Sequence, residues 1–369
     1  MNFTVKKEVF EAVLHKSRAV LATKDLVPIL KNFNITVGEN MLRVVATDLY
    51  LSVVAKTTLV TCIEPGSAMF PGSRLLDIVK TCADEDVCVV VEDDVAVVTC
   101  AGATWSINLQ DSFGYPDVPD ADDIDVVYIV KDAFKNALNK VKGAAAKEGV
   151  RPALQMVDIT GGNVRASDGA VFRQVHVPSL ADITMQIPLG AVDDLVKLLK
   201  GTEAENVGFG QTSDHILFVV GGDVLIVTKN NVEYPDVEAS LLGPARENKQ
   251  VLTADREQLA AGVKRVRVNA DEDTKGVVLT LTQDHLSLSA HDKSGNAADQ
   301  QLEVKYNSPS GAHDRSLAVN HINLLDVLAV LDSSDVSIRL GSDTRQRKSP
   351  VFIEDGNTVA VLQQIKLPL

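Results

Sequence analysis

A chain of 369 residues exceeds what one hydrophobic core sustains, since single cores stop growing at roughly 250–300 residues and domains cluster near 100–150; two or three domains are expected. With 45% hydrophobic and 23% charged residues the chain is neither disordered nor fibrous, and no run approaches the ~18 uninterrupted apolar residues of a membrane span. The balance of 36 Lys+Arg against 50 Asp+Glu gives a net charge of −14, which as an average argues against a polyanionic partner.

The opening residues, Met1 to Lys7, form no apolar signal core, so a cytoplasmic protein is expected. Cys62, Cys82, Cys88 and Cys100 all fall in the first third at spacings of neither a zinc site nor a disulfide framework, and read as buried thiols. Aromatics are only 4%, which weighs against base-stacking platforms.

In chain order, Phe3-Thr4-Val5 predicts a short strand leading into an amphipathic helix, and Tyr128-Ile129-Val130 and Val251-Leu252-Thr253 repeat that arrangement. Thr47-Asp48-Leu49 returns as Ser167-Asp168-Gly169, an offset of 120, and as His291-Asp292, a further 124. Gly114-Tyr115-Pro116-Asp117-Val118 returns as Glu233-Tyr234-Pro235-Asp236-Val237. A second helix per repeat is marked at 75–79, 194–199 and 324–328, and runs such as 87–91, 95–99, 216–220 and 277–281 read as strands. A repeat of ~120 residues is far longer than a solenoid unit, so it is three copies of one domain. Two helices against many strands give an α+β class with largely antiparallel sheets. Boundaries fall in the acidic stretch from Asp117 to Asp125, through Asp120, Asp122 and Asp123, and in the polar stretch from Asp236 to Gln250, giving domains at 1–122, 123–245 and 246–369.

The charge is unevenly distributed. On 131–146 the core face is Phe134, Leu138, Val141 and Ala145, while Lys131, Lys135 and Lys142 share another face with Lys140 nearby. Residues 6–20 carry +2, residues 131–142 +3 and residues 255–267 +2, so the three first helices hold +7 and the remainder −21. One such helix is an ordinary solvated face; three in so acidic a chain suggest a basic surface that meets phosphates without reading sequence.

Catalytic constellations are lacking. Recurrence of Thr47-Asp48, Ser167-Asp168 and His291-Asp292 favours structural turns in which the Asp side chain caps backbone donors. The seven histidines are dispersed without a metal pattern, Asp271-Glu272-Asp273 reads as a solvated turn, and Gly208-Phe209-Gly210 as a strand turn. Neither a nucleophile elbow nor a phosphate-binding glycine loop occurs.

The segments Phe3-Thr4-Val5, Leu26-Val27-Pro28-Ile29-Leu30, Ala46-Thr47-Asp48-Leu49, Ala166-Ser167-Asp168-Gly169, Glu233-Tyr234-Pro235-Asp236 and Ile365-Lys366-Leu367-Pro368-Leu369 resemble, in order and spacing and from end to end, the bacterial DNA polymerase III beta subunit family, the sliding clamps. The resemblance implies three repeated DNA-clamp domains, closed as a head-to-tail homodimeric ring around double-stranded DNA, with helices lining the hole and sheets outside. It implies a processivity factor with no catalysis, cofactor or metal, associated with the nucleoid. Its partners would be DNA polymerase III, the clamp loader and other proteins carrying a short clamp-binding motif.

Carried over position by position, the resemblance gives Lys24, Arg74, Lys80, Arg151 and Lys197 as DNA-facing, joining Lys131, Lys135, Lys142, Lys264, Arg265 and Arg267 of the basic helices. Ser73, Glu148 and Gly190 replace DNA-contacting residues of other members. Trp105 and Ile107 correspond to apolar residues of the dimer-interface strand, with the segment around Val266 and Val268 opposite. The partner-peptide pocket would use Leu154, Ser167, Gly169, Val171, Phe172, Pro235, Ser240, Leu241, Ile365 and Leu367. Ala170-Val171 stands in place of a His-Arg pair, Gln363 in place of an aliphatic residue, and Asn323 where an aromatic is usual. Two other readings are a peptide-binding three-domain scaffold that never encircles DNA, and a hydrolase or nuclease using clefts between domains.

Overall fold

The computed structural model describes residues 1–366 apart from 19, 22–26, 39–40, 84, 120, 122–123, 150, 231, 247–249, 283–284, 308–314 and 341–349. Along the first repeat run β1 (Asn2–Lys6), α1 (Lys7–Arg18), β2 (Asn32–Gly38), β3 (Met41–Thr47), β4 (Leu51–Thr57), β5 (Val60–Glu64), β6 (Gly66–Pro71), α2 (Gly72–Thr81), β7 (Asp86–Glu92), β8 (Val95–Cys100) and β9 (Ala103–Asn108). The second carries β10 (Val127–Val130), α3 (Lys131–Val141), β11 (Met156–Thr160), β12 (Asn163–Ser167), β13 (Val171–His176), β14 (Met185–Pro188), α4 (Leu189–Lys200), β15 (Asn206–Gln211), β16 (His215–Val220) and β17 (Asp223–Thr228). After a π-helical turn over Glu238–Leu242 and the short α5 (Gly243–Arg246), the third carries β18 (Gln250–Asp255), α6 (Arg256–Val266), β19 (Gly276–Leu281), β20 (His285–His291), β21 (Ala297–Glu303), β22 (Lys305–Asn307), β23 (Arg315–Asn320), α7 (His321–Leu328), β24 (Asp335–Leu340), β25 (Val351–Asp355) and β26 (Thr358–Leu362).

Two compact units hold these elements. The first comprises Met1–Lys135 and Gly190–Asn230. Its five-stranded sheet runs β5-β1-β7-β8-β9 and its eight-stranded sheet β10-β15-β16-β17-β4-β3-β2-β6. The larger sheet is therefore two four-stranded halves joined where β17 pairs antiparallel with β4, Val224 opposite Val54 and Val227 opposite Leu51. Phe3 and Phe10 meet edge to face at 5.9 Å under α1, and Phe209 packs edge-on to both Phe134 and Phe218, at 5.0 and 5.4 Å. The Gly208 and Gly210 pair lies inside β15 and not in the turn expected of it. A Cβ on Gly208 would stand 2.4 Å from Val126, and one on Gly210 2.9 Å from Ile124, because the linker runs directly over the strand.

The second unit comprises Asn136–Leu189 and Asn231–Leu369. Its nine-stranded sheet, β14-β11-β12-β13-β26-β25-β24-β18-β22, is again a pair of halves, joined by β13 and β26 with Phe172 opposite Val361; a four-stranded sheet runs β21-β20-β19-β23. Helix starts follow from side-chain caps: Asp255 accepts from Gln258 N at 2.7 Å ahead of α6, and Asn320 from Ile322 N at 2.9 Å ahead of α7.

The recurring Asp motifs are turns. Asp48 Oδ1 accepts from Tyr50 N and Leu51 N, Asp168 Oδ1 from Ala170 N and Val171 N, and Asp292 Oδ1 from Ser294 N and Asn296 N, all at 2.7–2.9 Å. Asp271 differs from the solvated turn expected. It is buried, accepts from Asp273 N, Thr274 N and the Thr274 hydroxyl, and the Thr274 amide chiefly holds its carboxyl below the usual range. Of the four free cysteines Cys82 and Cys100 are buried, whereas Cys62 and Cys88 are half-buried.

Candidate functional site

The basic residues divide by what surrounds them. Arg74 and Lys80 on α2, Arg151, Lys197 on α4, and Lys264, Arg265 and Arg267 at the end of α6 are exposed. Lys197 pairs with Asp194 at 2.8 Å, a bond that holds its ammonium above the usual lysine range. On α3 the lysines are not equivalent. Lys131 donates to the Thr202 carbonyl at 2.9 Å and Lys135 to Asp132 at 2.6 Å. Lys140, expected beside the basic face, is 5% exposed: it meets Asp332 at 2.5 Å and the Thr358 hydroxyl at 3.3 Å, so it belongs to the core of the second unit. Helix α3 itself stops at Val141, and Lys142 opens a 3-10 turn. Lys24 lies outside the described residues.

The described residues expected to line a peptide pocket all belong to the second unit. Ser167 Oγ donates to the Val171 carbonyl at 2.7 Å and accepts from Gly169 N, closing the turn between β12 and β13. Gly169 has φ +93°, and a Cβ there would stand 4.0 Å from Leu154. Gln363 N donates to the Ala170 carbonyl and Ile365 N to the Ala318 carbonyl, bringing the C-terminal extension of β26 beside this turn. Phe172 is 1% exposed and forms a cluster with Val237, Leu242, Phe352 and Val361, against which Tyr234 and Leu241 pack. It is thus a floor beneath the 234–242 segment, whereas Pro235 and Ser240 stand exposed above. Leu367 lies outside the described residues.

The residues expected at a dimer interface differ in exposure. Ile107 is 3% exposed and turned into its own unit, with Trp105 half-buried on the same face. Val266 is 1% exposed, because Leu259, Val263 and Val266 at i, i+4 and i+7 form the core stripe of α6; it cannot meet another chain. Val268, two residues on, is 81% exposed. It lies in a turn tied by Asn269 Nδ2 to the Ala297 carbonyl of β21. β21 is an outer strand of its sheet among the described residues, and Lys16 pairs with the buried Asp223 at 2.7 Å; sequence spacing alone singles out neither.

A 260 Å³ cavity in the first unit carries Asp194 and Asp223 among its walls, but Lys197 and Lys16 respectively occupy them. No group of three or more metal-ligating side chains occurs among the described residues, and none of the described helices is long and apolar enough to cross a membrane.

Comparison with known proteins gives a consistent result. Residues 1–119 match the family described as DNA polymerase III beta subunit, N-terminal domain, and residues 244–368 its C-terminal domain. The beta sliding clamp of Salmonella typhimurium is 25% identical over 367 residues, covering 96% of each chain. The crystal structure of the DNA polymerase III subunit beta from Pseudomonas aeruginosa superposes with a TM-score of 0.89 at 22% identity, and a sliding clamp from that organism bound to griselimycin with 0.86 at 23%, each over 100% of both chains. The chain therefore belongs to the DNA polymerase III beta subunit family, the non-catalytic sliding clamps that confer processivity in DNA replication.

Proposed function

We propose that two copies of this chain join head to tail into a ring that encircles duplex DNA and slides on it, with domains at 1–122, 123–245 and 246–369. The observation that carries this reading is the repetition of one strand junction. In the first unit β4 pairs with β17, and in the second β13 with β26. These strands are equivalent: β4 and β13 each follow an Asp-capped turn, and β17 and β26 each end a hairpin, Val220 facing Asp223 and Asp355 facing Thr358. The register is also the same, Leu51 facing Val227 as Val171 faces Leu362.

One strand of each kind remains. β21 follows the Asp292 turn, β9 ends the hairpin in which Cys100 faces Ala103, and each is an outer strand of its sheet among the described residues. An unpaired edge is a template for another chain. Carrying the common register forward sets Ile107 against Asn296, Ser106 against Ala297 and Trp105 against Ala298 of a second copy, with Val268 at the side. A contact between different faces of one chain is heterologous and closes only as a ring.

The exposed basic side chains Arg74, Lys80, Arg151, Lys197, Lys264 and Arg267 suit sequence-independent phosphate contacts, since encirclement needs no base readout. The Leu154, Gly169 and Leu241 region suits a short apolar peptide held by a few anchors, as polymerase, loader and repair partners would supply. Griselimycin bound to the Pseudomonas aeruginosa relative is consistent with a ligand site of this kind. Such a protein works in the cytoplasm, on the nucleoid.

A paired cysteine variant tests the assembly. Ser106→Cys with Ala297→Cys is expected to oxidise to a product of two chains, because facing Cα atoms about 4.5–5.5 Å apart admit a disulfide. Neither single variant should do so. A ladder of longer products would indicate an open filament, and absence of cross-linking a scaffold that never closes; either overturns the ring.

A further inference from the structure

The two junctions share a side-chain contact as well as a register. Lys16, the tenth residue of α1, reaches Asp223, which opens β17, at 2.7 Å. Lys140, the tenth residue of α3, reaches Thr358, which opens β26, at 3.3 Å, and Asp332 at 2.5 Å. The tenth residue of α6 is Arg265. The first residues of α3 and α6 keep step too: Lys131 donates to the Thr202 carbonyl and Arg256 to the Leu331 carbonyl, each in the loop after the second helix.

Among the described residues of its own chain, Arg265 meets no such strand opening. Its side chain is exposed, and Nη1 donates to Oε1 of Gln300 at 3.3 Å. Gln300 lies on β21 at the position equivalent to Val175, the residue facing Thr358. Resting on the head-to-tail reading, we infer that Arg265 is the cation of the junction between copies and not a DNA contact. Gln300 steers its guanidinium toward Ala103, which opens β9 of the second copy. Ala103 offers no side-chain acceptor, so the charge is met by Glu85, exposed in the loop that corresponds to the one carrying Asp332. Arginine suits this place better than lysine, being longer and forked toward a carboxylate set back from the strand.

Sedimentation equilibrium of the full-length protein, with thermal unfolding and DNA binding measured on the same samples, tests the assignment. Arg265→Glu is expected to raise the dissociation constant between copies about tenfold or more, and Arg265→Ala to act in the same direction. Lys200→Glu, an equal charge change on α4, should leave that constant unaltered. Glu85→Arg added to Arg265→Glu should recover part of the loss, with unfolding temperatures unchanged when compared at concentrations where every variant is dissociated. Arg265→Glu that assembles like the wild type while losing DNA affinity would overturn the inference and return Arg265 to the DNA surface. A wild-type chain that stays at 39.6 kDa at every concentration would instead overturn the head-to-tail reading itself.

Discussion

Tyr115 and Tyr234 come from the same repeated Tyr-Pro-Asp motif, yet their hydroxyls differ. Tyr115 donates to the Val45 carbonyl at 3.2 Å, whereas the buried Tyr234 hydroxyl has no hydrogen-bond partner among the described residues and its ring lies 5.2 Å from the Arg165 guanidinium. Tyr115→Phe should therefore cost about 1 kcal/mol in urea unfolding, and Tyr234→Phe close to nothing. Asp271 gives a pH signature. Its carboxyl is held low in the fold, so it stabilises above the ordinary carboxylate value of about 4 and loses that contribution as pH falls through its lower folded value. Asp271→Asn should be less stable at neutral pH, with its unfolding temperature falling less than that of the wild type on acidification. Lys140 marks the limit of legibility at this scale. Its helical position relative to Lys131 and Lys135 was readable, but its partner Asp332 stands 192 residues away, and only the fold brings the two together. Lys140→Ala should cost about 1–3 kcal/mol, through the lost ion pair and the hydroxyl of Thr358 left without its donor.

Helix and strand identities were legible because apolar periodicity and burial have one cause, the face turned to the core. Phe134, Leu138, Val141 and Ala145 are all buried as their spacing requires. What periodicity does not carry is which strand lies beside which. Nothing local to Ala297–Glu303 marks it as an edge equivalent to β4 and β13; pairing registers do. The same limit explains Val266, whose chemistry suited an interface while its helical phase assigned it to the core. Gly208 and Gly210 resembled a turn because glycine serves turns and close strand crossings alike. Within β9, Thr104→Pro should abolish association between copies while leaving the secondary structure nearly intact, because an edge strand tolerates proline until a neighbour needs its amide. Sedimentation and circular dichroism separate the two effects. Reversing Arg74 and Lys80 together to Glu should weaken DNA association and flatten its salt dependence by roughly one log unit per lost phosphate contact.

At the scale of the whole molecule the net charge of −14 misleads only as an average. The first helices hold +7 against −21 elsewhere, although Lys140 withdraws from that surplus into the core. An acidic exterior would repel unproductive polyanions while basic residues meet the one duplex already inside a closed ring. Such a ring holds DNA by topology and not by affinity, and the most direct measurement follows from that. The full-length protein is placed on a nicked circular plasmid by a clamp loader, freed from loose protein by gel filtration, and the plasmid is then cut once at a site remote from the nick. Protein is expected to stay with the circle at raised salt and to run off within minutes of linearisation. Equal retention on circular and linear DNA would mean that the protein does not hold DNA by encircling it.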